Sequence, residues 1–350
     1  MSNVRIGISG WRYAPWRGVF YPKGLAQKNE LAFASRALPT IEINGSFYAT
    51  QRPASYEQWY EQTPDDFVFS VKAPRYVTHI LRLRNIEKPI ANFFASGVFR
   101  LKQKLGPILW QFPPTFRFDE ALFDTFLALL PHDTEQAQSV AEHFDKHMRG
   151  RTDLAIDARR PIRHAVEIRN ASFVEPAFVE LLRKHRVALV VADTGGKWPY
   201  REDVTADFMY LRLHGPEEMY ASGYTGAALD RWSERITDWS DGSQPADAHL
   251  IVERKPTRHK RDVFCYFDND VKVNAPFDAS QLLQRQHLPS PLLQQGGVQL
   301  PREEAQPVSA KSRRKTSSRS AGPAPAKTGS ARSRSHARSP AGSRPANPPH

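Results

Sequence analysis

The amino-acid sequence predicts a (β/α)8 barrel followed by a disordered basic tail, and three observations carry that expectation. Eight short apolar runs alternate with helical patterns over the first 290 residues, and such alternation means crossover connections and a parallel sheet. The span suits a closed barrel, which takes roughly 250 residues. Most runs have one consistently apolar side, while the other side turns polar toward the C-terminal end. Beyond residue 301 the composition loses almost all of its large apolar residues. A doubly wound open sheet is the competing architecture.

The first run, Arg5–Ser9, sets Ile6 and Ile8 against Gly7 and Ser9. An aromatic segment follows (Trp11, Tyr13, Trp16, Phe20 and Tyr21), and then a helical pattern over Leu25–Leu38. Thr40–Asn44 opposes Ile41 and Ile43 to Glu42 and Asn44, before a helix over Ser55–Gln62. In Phe67–Lys72, Phe67, Phe69 and Val71 oppose Val68, Ser70 and Lys72. One long helical pattern, Ile86–Leu105, leads to Ile108–Gln111. Two more, Asp119–Leu129 and Thr134–Met148, precede His164–Arg169, where Val166 and Ile168 oppose Glu167 and Arg169. The helix Pro176–His185 leads to Ala188–Asp193. In Phe208–His214, Met209, Leu211 and Leu213 oppose Tyr210, Arg212 and His214. Leu229–Trp239, Val263–Asp268 and Ala279–His287 complete the series.

Residues 1–290 are therefore read as the barrel domain and 291–350 as a disordered Ser/Pro/Ala/Arg-rich tail. Within it, residues 302–350 hold no aromatic residue and only Val308 as a large aliphatic one. Such a segment cannot bury enough apolar surface to offset its ordering entropy. It also holds 11 basic and 2 acidic residues, a net of +9 out of +12 for the whole chain, so the barrel is nearly neutral. The single cysteine, Cys265, excludes an intramolecular disulfide and thiolate metal clusters, and suits a reducing compartment. No run approaches the about 20 apolar residues of a membrane span, and the first residues do not read as a signal peptide. A cytoplasmic protein without membrane attachment is the expectation.

A barrel of this class carries its active site at the C-terminal ends of its strands. The residues placed there are Ser9, Glu42, Asn44, Lys72, Gln111, Glu167, Arg169, Asp193, Arg212, His214 and Asp268. Glu42, Glu167, His214 and Asp193 are the catalytic candidates. The rest, with Trp11 from the aromatic segment, are candidates for holding a substrate. Lys72, Arg169 and Arg212 together suit a phosphate or carboxylate, because arginine offers planar paired contacts. Glu42 and Glu167 suit acid and base if their surroundings separate their pKa values. His214, as neutral imidazole, suits proton transfer near neutral pH. Glu42, Glu167, Asp193 and His214 could instead hold a divalent metal, although three basic groups beside them count against it. An ion-pair network that merely closes the barrel mouth is the structural alternative. No P-loop, dinucleotide fingerprint, zinc-protease helix or nucleophile elbow is present, so the sequence names no cofactor.

The expected function is an enzyme acting on a small anionic or phosphorylated substrate by acid–base chemistry. The alternatives are a metal-dependent phosphoesterase or isomerase, or a nucleic-acid-associated protein that uses its 302–350 tail, whose charge attracts phosphates without sequence preference.

Several motifs point to one family. Ile6-Gly7-Ile8-Ser9-Gly10-Trp11, Ile41-Glu42-Ile43-Asn44 with Phe47-Tyr48, and Phe69-Ser70-Val71-Lys72 with Thr78-His79 come first in chain order. Leu105–Pro114, Glu167-Ile168-Arg169, Ala192-Asp193-Thr194, Tyr210–Gly215 and Tyr266–Asp270 follow. In this order the sequence resembles the YecE-like proteins, the "domain of unknown function 72" family, over about residues 4–287. The resemblance implies a TIM-barrel fold and no particular reaction, substrate or cofactor, since fold does not fix chemistry.

Overall fold

The computed structural model describes residues 3–215, 223–253, 259–269, 273–294 and 297–300. Among them, eight parallel strands close into a barrel in chain order. These are β1 (Val4–Ser9), β2 (Thr40–Ile43), β3 (Val68–Lys72), β4 (Leu105–Gln111), β5 (His164–Glu167), β6 (Ala188–Asp193), β7 (Phe208–Leu213) and β8 (Asp262–Phe267). The ring is sealed between its first and last members, where the register runs from Val4 opposite Val263 to Ile8 opposite Phe267. The crossovers carry α1 (Glu30–Ala37), α2 (Gly45–Tyr48), α3 (Pro53–Gln62), α4 (Glu87–Ala95), α5 (Glu120–Ala128), α6 (Thr134–Ala141), α7 (Pro176–Lys184) and α8 (Gly226–Ser240). α9 (Ala275–Arg285) follows the last strand. The expected (β/α)8 architecture is the observed one.

Side-chain alternation divides the core in two. Ile6, Ile8, Ile41, Ile43, Phe69, Val71, Val166, Leu211 and Leu213 pack outward in one large cluster with the helices. Leu109, Ala165, Val190, Phe208, Tyr210, Phe264 and Tyr266 form a separate, smaller cluster. These residues share the parity of the polar strand-end groups, so this cluster is the barrel interior. Close strand approach demands Gly7: a Cβ there would lie 1.8 Å from the Thr40 carbonyl oxygen.

Three expectations about local structure are corrected. The single helix over 86–105 is broken after Ala95, where Gly97 adopts φ 93° and a 3-10 turn over Val98–Lys104 takes over. Periodicity runs through this point, but the sharp backbone reversal needs a residue tolerant of positive φ. The helix over 134–148 stops at Ala141. The globule also extends past residue 290: Pro291–Leu293 forms a turn, and Leu292, Val298 and Leu300 pack against the main core. The expected tail beyond residue 300 lies outside the described residues. Among the described residues, no helix is long and apolar enough to cross a membrane.

Candidate active site

Two tyrosines from β7 and β8 make the floor of the site. The Tyr210 and Tyr266 rings lie 5.2 Å apart inside the barrel. Tyr266 Oη is 2.9 Å from Thr40 Oγ1, and Tyr210 Oη is 2.6 Å from Ser70 Oγ. Tyr210 also donates to Glu42 Oε2 at 2.7 Å. Burial, helped by the adjacent Glu42 carboxylate, pushes the Tyr210 phenol well above its usual range, so it stays a donor.

Directly above, Arg212 joins three carboxylates from three other strands or strand ends. Its Nε and Nη2 grip Glu42 as a fork at 3.1 and 2.9 Å. Nη1 donates to Glu167 at 2.7 Å, and Nη2 to Asp268 at 2.8 Å. Glu42 also accepts from Ser9 Oγ at 2.7 Å. Glu167 accepts from Gln111 Nε2 on both oxygens at 2.9 Å and from Arg169 Nε at 2.7 Å. Burial alone would raise the Glu167 pKa, but the charges of Arg169, Arg212, His214 and Lys72 outweigh it, and the carboxyl titrates well below its usual range. Burial likewise opposes ionisation of Asp268, and the Arg212 charge with the His214 contact overcomes it. Arg212 is pushed further up by the same three carboxylates, against the opposing effect of burial. Every acid in the cluster has committed hydrogen bonds.

His214 stands at the edge of this network. Its Nδ1 lies 3.0 Å from Asp268 Oδ2, and its Nε2 lies 3.4 Å from Arg212 Nη1. An Nδ1–H donated to Asp268 leaves Nε2 as the lone-pair nitrogen, the arrangement that fixes a histidine tautomer for proton transfer.

Two cations at the mouth are differently placed. Lys72, the last residue of β3, is buried, yet its ammonium meets no hydrogen-bond acceptor or carboxylate among the described residues and rests 4.3 Å above the Phe47 ring. Burial, reinforced by the Arg212 charge, lowers its pKa to about 8, although Glu42, Glu167 and Asp268 pull the other way. Arg169 spends only Nε on Glu167 and stacks its guanidinium 3.8 Å over Trp198, leaving both Nη groups without a hydrogen-bond partner among the described residues. His79 packs its ring edge-on to Phe47 at 5.1 Å. Burial and then the charges of Lys72, Arg169 and Arg75 lower it to about 4, so it is neutral at physiological pH.

Most of the residues expected at the strand ends therefore do gather in one place: Ser9, Glu42, Gln111, Glu167, Arg169, Arg212, His214 and Asp268 form a continuous hydrogen-bonded set. Asn44 joins it through Nδ2 to Ser9 Oγ at 2.9 Å. Asp193 does not belong to it. It shares the outward parity of Leu189 and Val191, accepts from Tyr224 Oη at 2.9 Å, and lines a separate cleft of about 260 Å³ with Tyr200, Arg235 and His249. The inward residue at that level is Ala192. Trp11 lines another cleft, of about 280 Å³, with Arg12, Tyr13, Asn44 and Trp59. The metal quartet is likewise not assembled, since Arg212 lies between Glu42 and Glu167 and Asp193 faces away. Among the described residues, no three His, Cys, Asp or Glu side chains converge as metal ligands. Cys265 is core, its thiol pushed up by burial.

Sequence reasoning passed over Trp198 and Tyr224, and met Phe47 only as part of a family motif, without a place in the site. Trp198 directly follows the Gly195-Gly196-Lys197 turn, and an aromatic just past a glycine-containing strand-end loop was the available signal. Phe47 sits on the four-residue helix α2, too short for any periodicity to reveal.

A family model described as "Protein of unknown function DUF72" matches residues 5–302. The chain belongs to this DUF72 family. Among curated relatives, the UPF0759 protein YecE of Escherichia coli (strain K12) is 25% identical over 262 residues, covering 69% of this chain and 84% of its own length. The UPF0759 protein YunF of Bacillus subtilis is 29% identical over 182 residues, and the match spans only about half of each protein, 51% of this chain and 54% of YunF. A DUF72 crystal structure from Thermotoga maritima superposes with a TM-score of 0.60 at 25% identity, covering 81% of this chain and 99% of that one. A DUF72 structure from Enterococcus faecalis gives 0.57 at 17% identity, covering 82% of this chain and 96% of its own, a likeness of fold alone. The DUF72 match extends past the turn at Pro291–Leu293, in line with the packing of Leu292 against the core.

Proposed function

We propose that this DUF72 protein is an enzyme that acts on a small anionic or phosphorylated substrate by acid–base chemistry at the C-terminal mouth of its barrel. The observation that carries this reading is the division of labour among the charges. Glu42, Glu167 and Asp268 are saturated by Arg212 and its neighbours, so they hold the frame rather than exchange protons. The Nη fork of Arg169 has no hydrogen-bond partner among the described residues and its guanidinium lies 3.8 Å over the Trp198 ring, which suits paired contacts to a phosphate or carboxylate. Lys72 remains as a group able to transfer protons near neutral pH, because burial lowers its pKa to about 8, and His214, beside Asp268, is the second proton carrier proposed. Asp193, Ser9, Asn44 and Trp11 are assigned supporting or peripheral places, the last two beside a cleft that a larger substrate would enter.

The test is a ligand thermal-shift series on the full chain with inorganic phosphate, pyruvate and sugar phosphates, since preferential binding to the folded state raises the melting temperature. The expected outcome is an anion-dependent rise that Arg169→Ala abolishes and Lys72→Met retains. No rise with any anion at millimolar concentration, or an undiminished rise in Arg169→Ala, would overturn the reading.

A further inference from the structure

We infer that Lys72 is a nucleophile that forms an imine with the carbonyl carbon of a small anionic aldehyde or ketone. The inference rests on the anion-binding reading given above and adds to it the class of substrate and a covalent step.

The argument comes from comparing two buried lysines of the same molecule. Lys104 is only 1% exposed, and its ammonium donates to the Tyr60 carbonyl at 2.7 Å, the Thr63 carbonyl at 2.8 Å and Thr63 Oγ1 at 3.2 Å. All three N–H groups are used, as a structural ammonium out of water requires. Lys72 is 7% exposed and has no hydrogen bond or ion pair among the described residues. The Phe47 face at 4.3 Å is its one close contact of opposite polarity among the described residues, with Glu42, Glu167 and Asp268 acting on it from beyond ion-pair distance. Three carboxylates stand on nearby strands, but Arg212 has already claimed them. A lysine kept for structure would have been given acceptors. One kept out of water beside a second cation, with no acceptor for its N–H groups, is set up to lose its proton, the known route to an activated amine. Its position on the last residue of β3, inward in parity with Ser70, puts it at the strand-end mouth.

The groups facing it complete the arrangement. Arg212 on β7 opposes its protonation, while Glu42 on β2, Glu167 on β5 and Asp268 beyond β8 favour it. His79, on the single π-turn Tyr76–Ile80, is held neutral beside it. With its pKa lowered to about 8, Lys72 carries a free-amine fraction near pH 7.5 roughly a hundredfold or more above that of an ordinary lysine. In the step itself the nitrogen lone pair forms the C–N bond, and both amine protons leave with the carbonyl oxygen as one water. Nothing is oxidised or reduced. The Arg169 fork would hold the substrate's anionic group.

The experiment traps the imine on the full chain. The protein is incubated at pH 7.5 with pyruvate, dihydroxyacetone phosphate or pyridoxal 5′-phosphate plus sodium cyanoborohydride, then digested and mapped by mass spectrometry. The reductant delivers hydride to the imine carbon and leaves a stable secondary amine. Lys72 is expected to be modified preferentially over the exposed Lys23 and Lys28, with inorganic phosphate competing and labelling rising through about pH 8. Uncharged acetone should label it far less, and Arg169→Ala should lower its labelling by the phosphate-bearing probes. Lys72 labelled no more than Lys23 by every probe overturns the inference. If phosphate still raises the melting temperature in that case, the anion-binding reading stands alone; if it does not, both fall. Lys72→Met, checked for folding by circular dichroism, should lose only the Lys72 adduct.

Discussion

Two buried lysines set opposite expectations for the same substitution. Lys104→Met removes the donor that serves two carbonyls and a hydroxyl, and stranding buried acceptors costs about 1–3 kcal/mol. Lys72 strands nothing. Its pKa is lowered on folding, so the folded state binds its proton less tightly than the unfolded state does. That penalty is fully present below about pH 8 and is relieved as pH rises toward the unfolded value near 10.4. Lys72→Met should therefore stabilise the protein by roughly 1–3 kcal/mol at pH 7 and by little at pH 10.5. Urea denaturation at the two pH values checks both signs, and a destabilised Lys72→Met at pH 7 would contradict them. At this scale the sequence showed which residue types meet, because strand parity places Lys72, Glu42 and Arg212 on one side. It could not show which partners they choose. That Arg212 takes three carboxylates and leaves Lys72 with none depends on side-chain reach across the barrel, over separations such as the 170 residues between Glu42 and Arg212.

Strands and helices were legible wherever an apolar period ran its full length and ended on a polar residue. β6 has the bounds that its apolar run predicts, and β2 and β7 differ by a residue at their C-terminal ends. Asp193 shows where parity misleads: β6 is apolar on both faces, Ala188–Ala192, so its one polar end residue gave no indication of side. The stretch 86–105 failed for a different reason, since its apolar spacing continues across a break that only backbone geometry imposes. Gly97 has φ 93°, and a Cβ there would meet Pro53 Cα at 2.6 Å. Gly97→Ala is expected to cost at least about 2 kcal/mol, through positive-φ strain and displacement of the start of α3. Its denaturation midpoint should fall accordingly. A midpoint equal to the wild type would mean that this junction yields easily.

For the molecule as a whole, the central ion cluster ties four strands together and makes stability depend on pH. Glu167 and Asp268 both have pKa values lowered on folding. Their contribution is complete above the unfolded value of about 4 and is lost as pH falls below it toward the folded values. The melting temperature should therefore drop steeply below about pH 4, and Glu167→Gln should flatten that slope. Removing the common partner is harsher: Arg212→Met leaves three carboxylates facing one another and should cost about 3–5 kcal/mol or prevent folding altogether. A fully folded Arg212→Met with unchanged stability would show that water compensates the acids. The basic segment past residue 301 is a separate matter. Its charge predicts weak binding to polyanions that fades with salt. A gel shift comparing the full chain with one ending at Pro301 should show that binding lost; equal retention would place it on the barrel instead.

The seam between β1 and β8 bears on how the chain is made. Asn3 donates its backbone N–H to Asp262 across 259 residues, so the first strand out of the ribosome waits for the last before it has a neighbour on that side. Glu42 and Glu167 are synthesised well before Arg212, and Asp268 comes after all of them. Until that late stretch emerges, Glu42 lacks its guanidinium partner and the unclosed sheet has two open edges, the kind of surface that makes partly folded chains prone to aggregate. A circular permutation that joins β8 to β1 and opens the ring elsewhere would move the open edges but could not remove them. Opening the ring between β6 and β7 would bring Arg212 out first, ahead of every acid it serves.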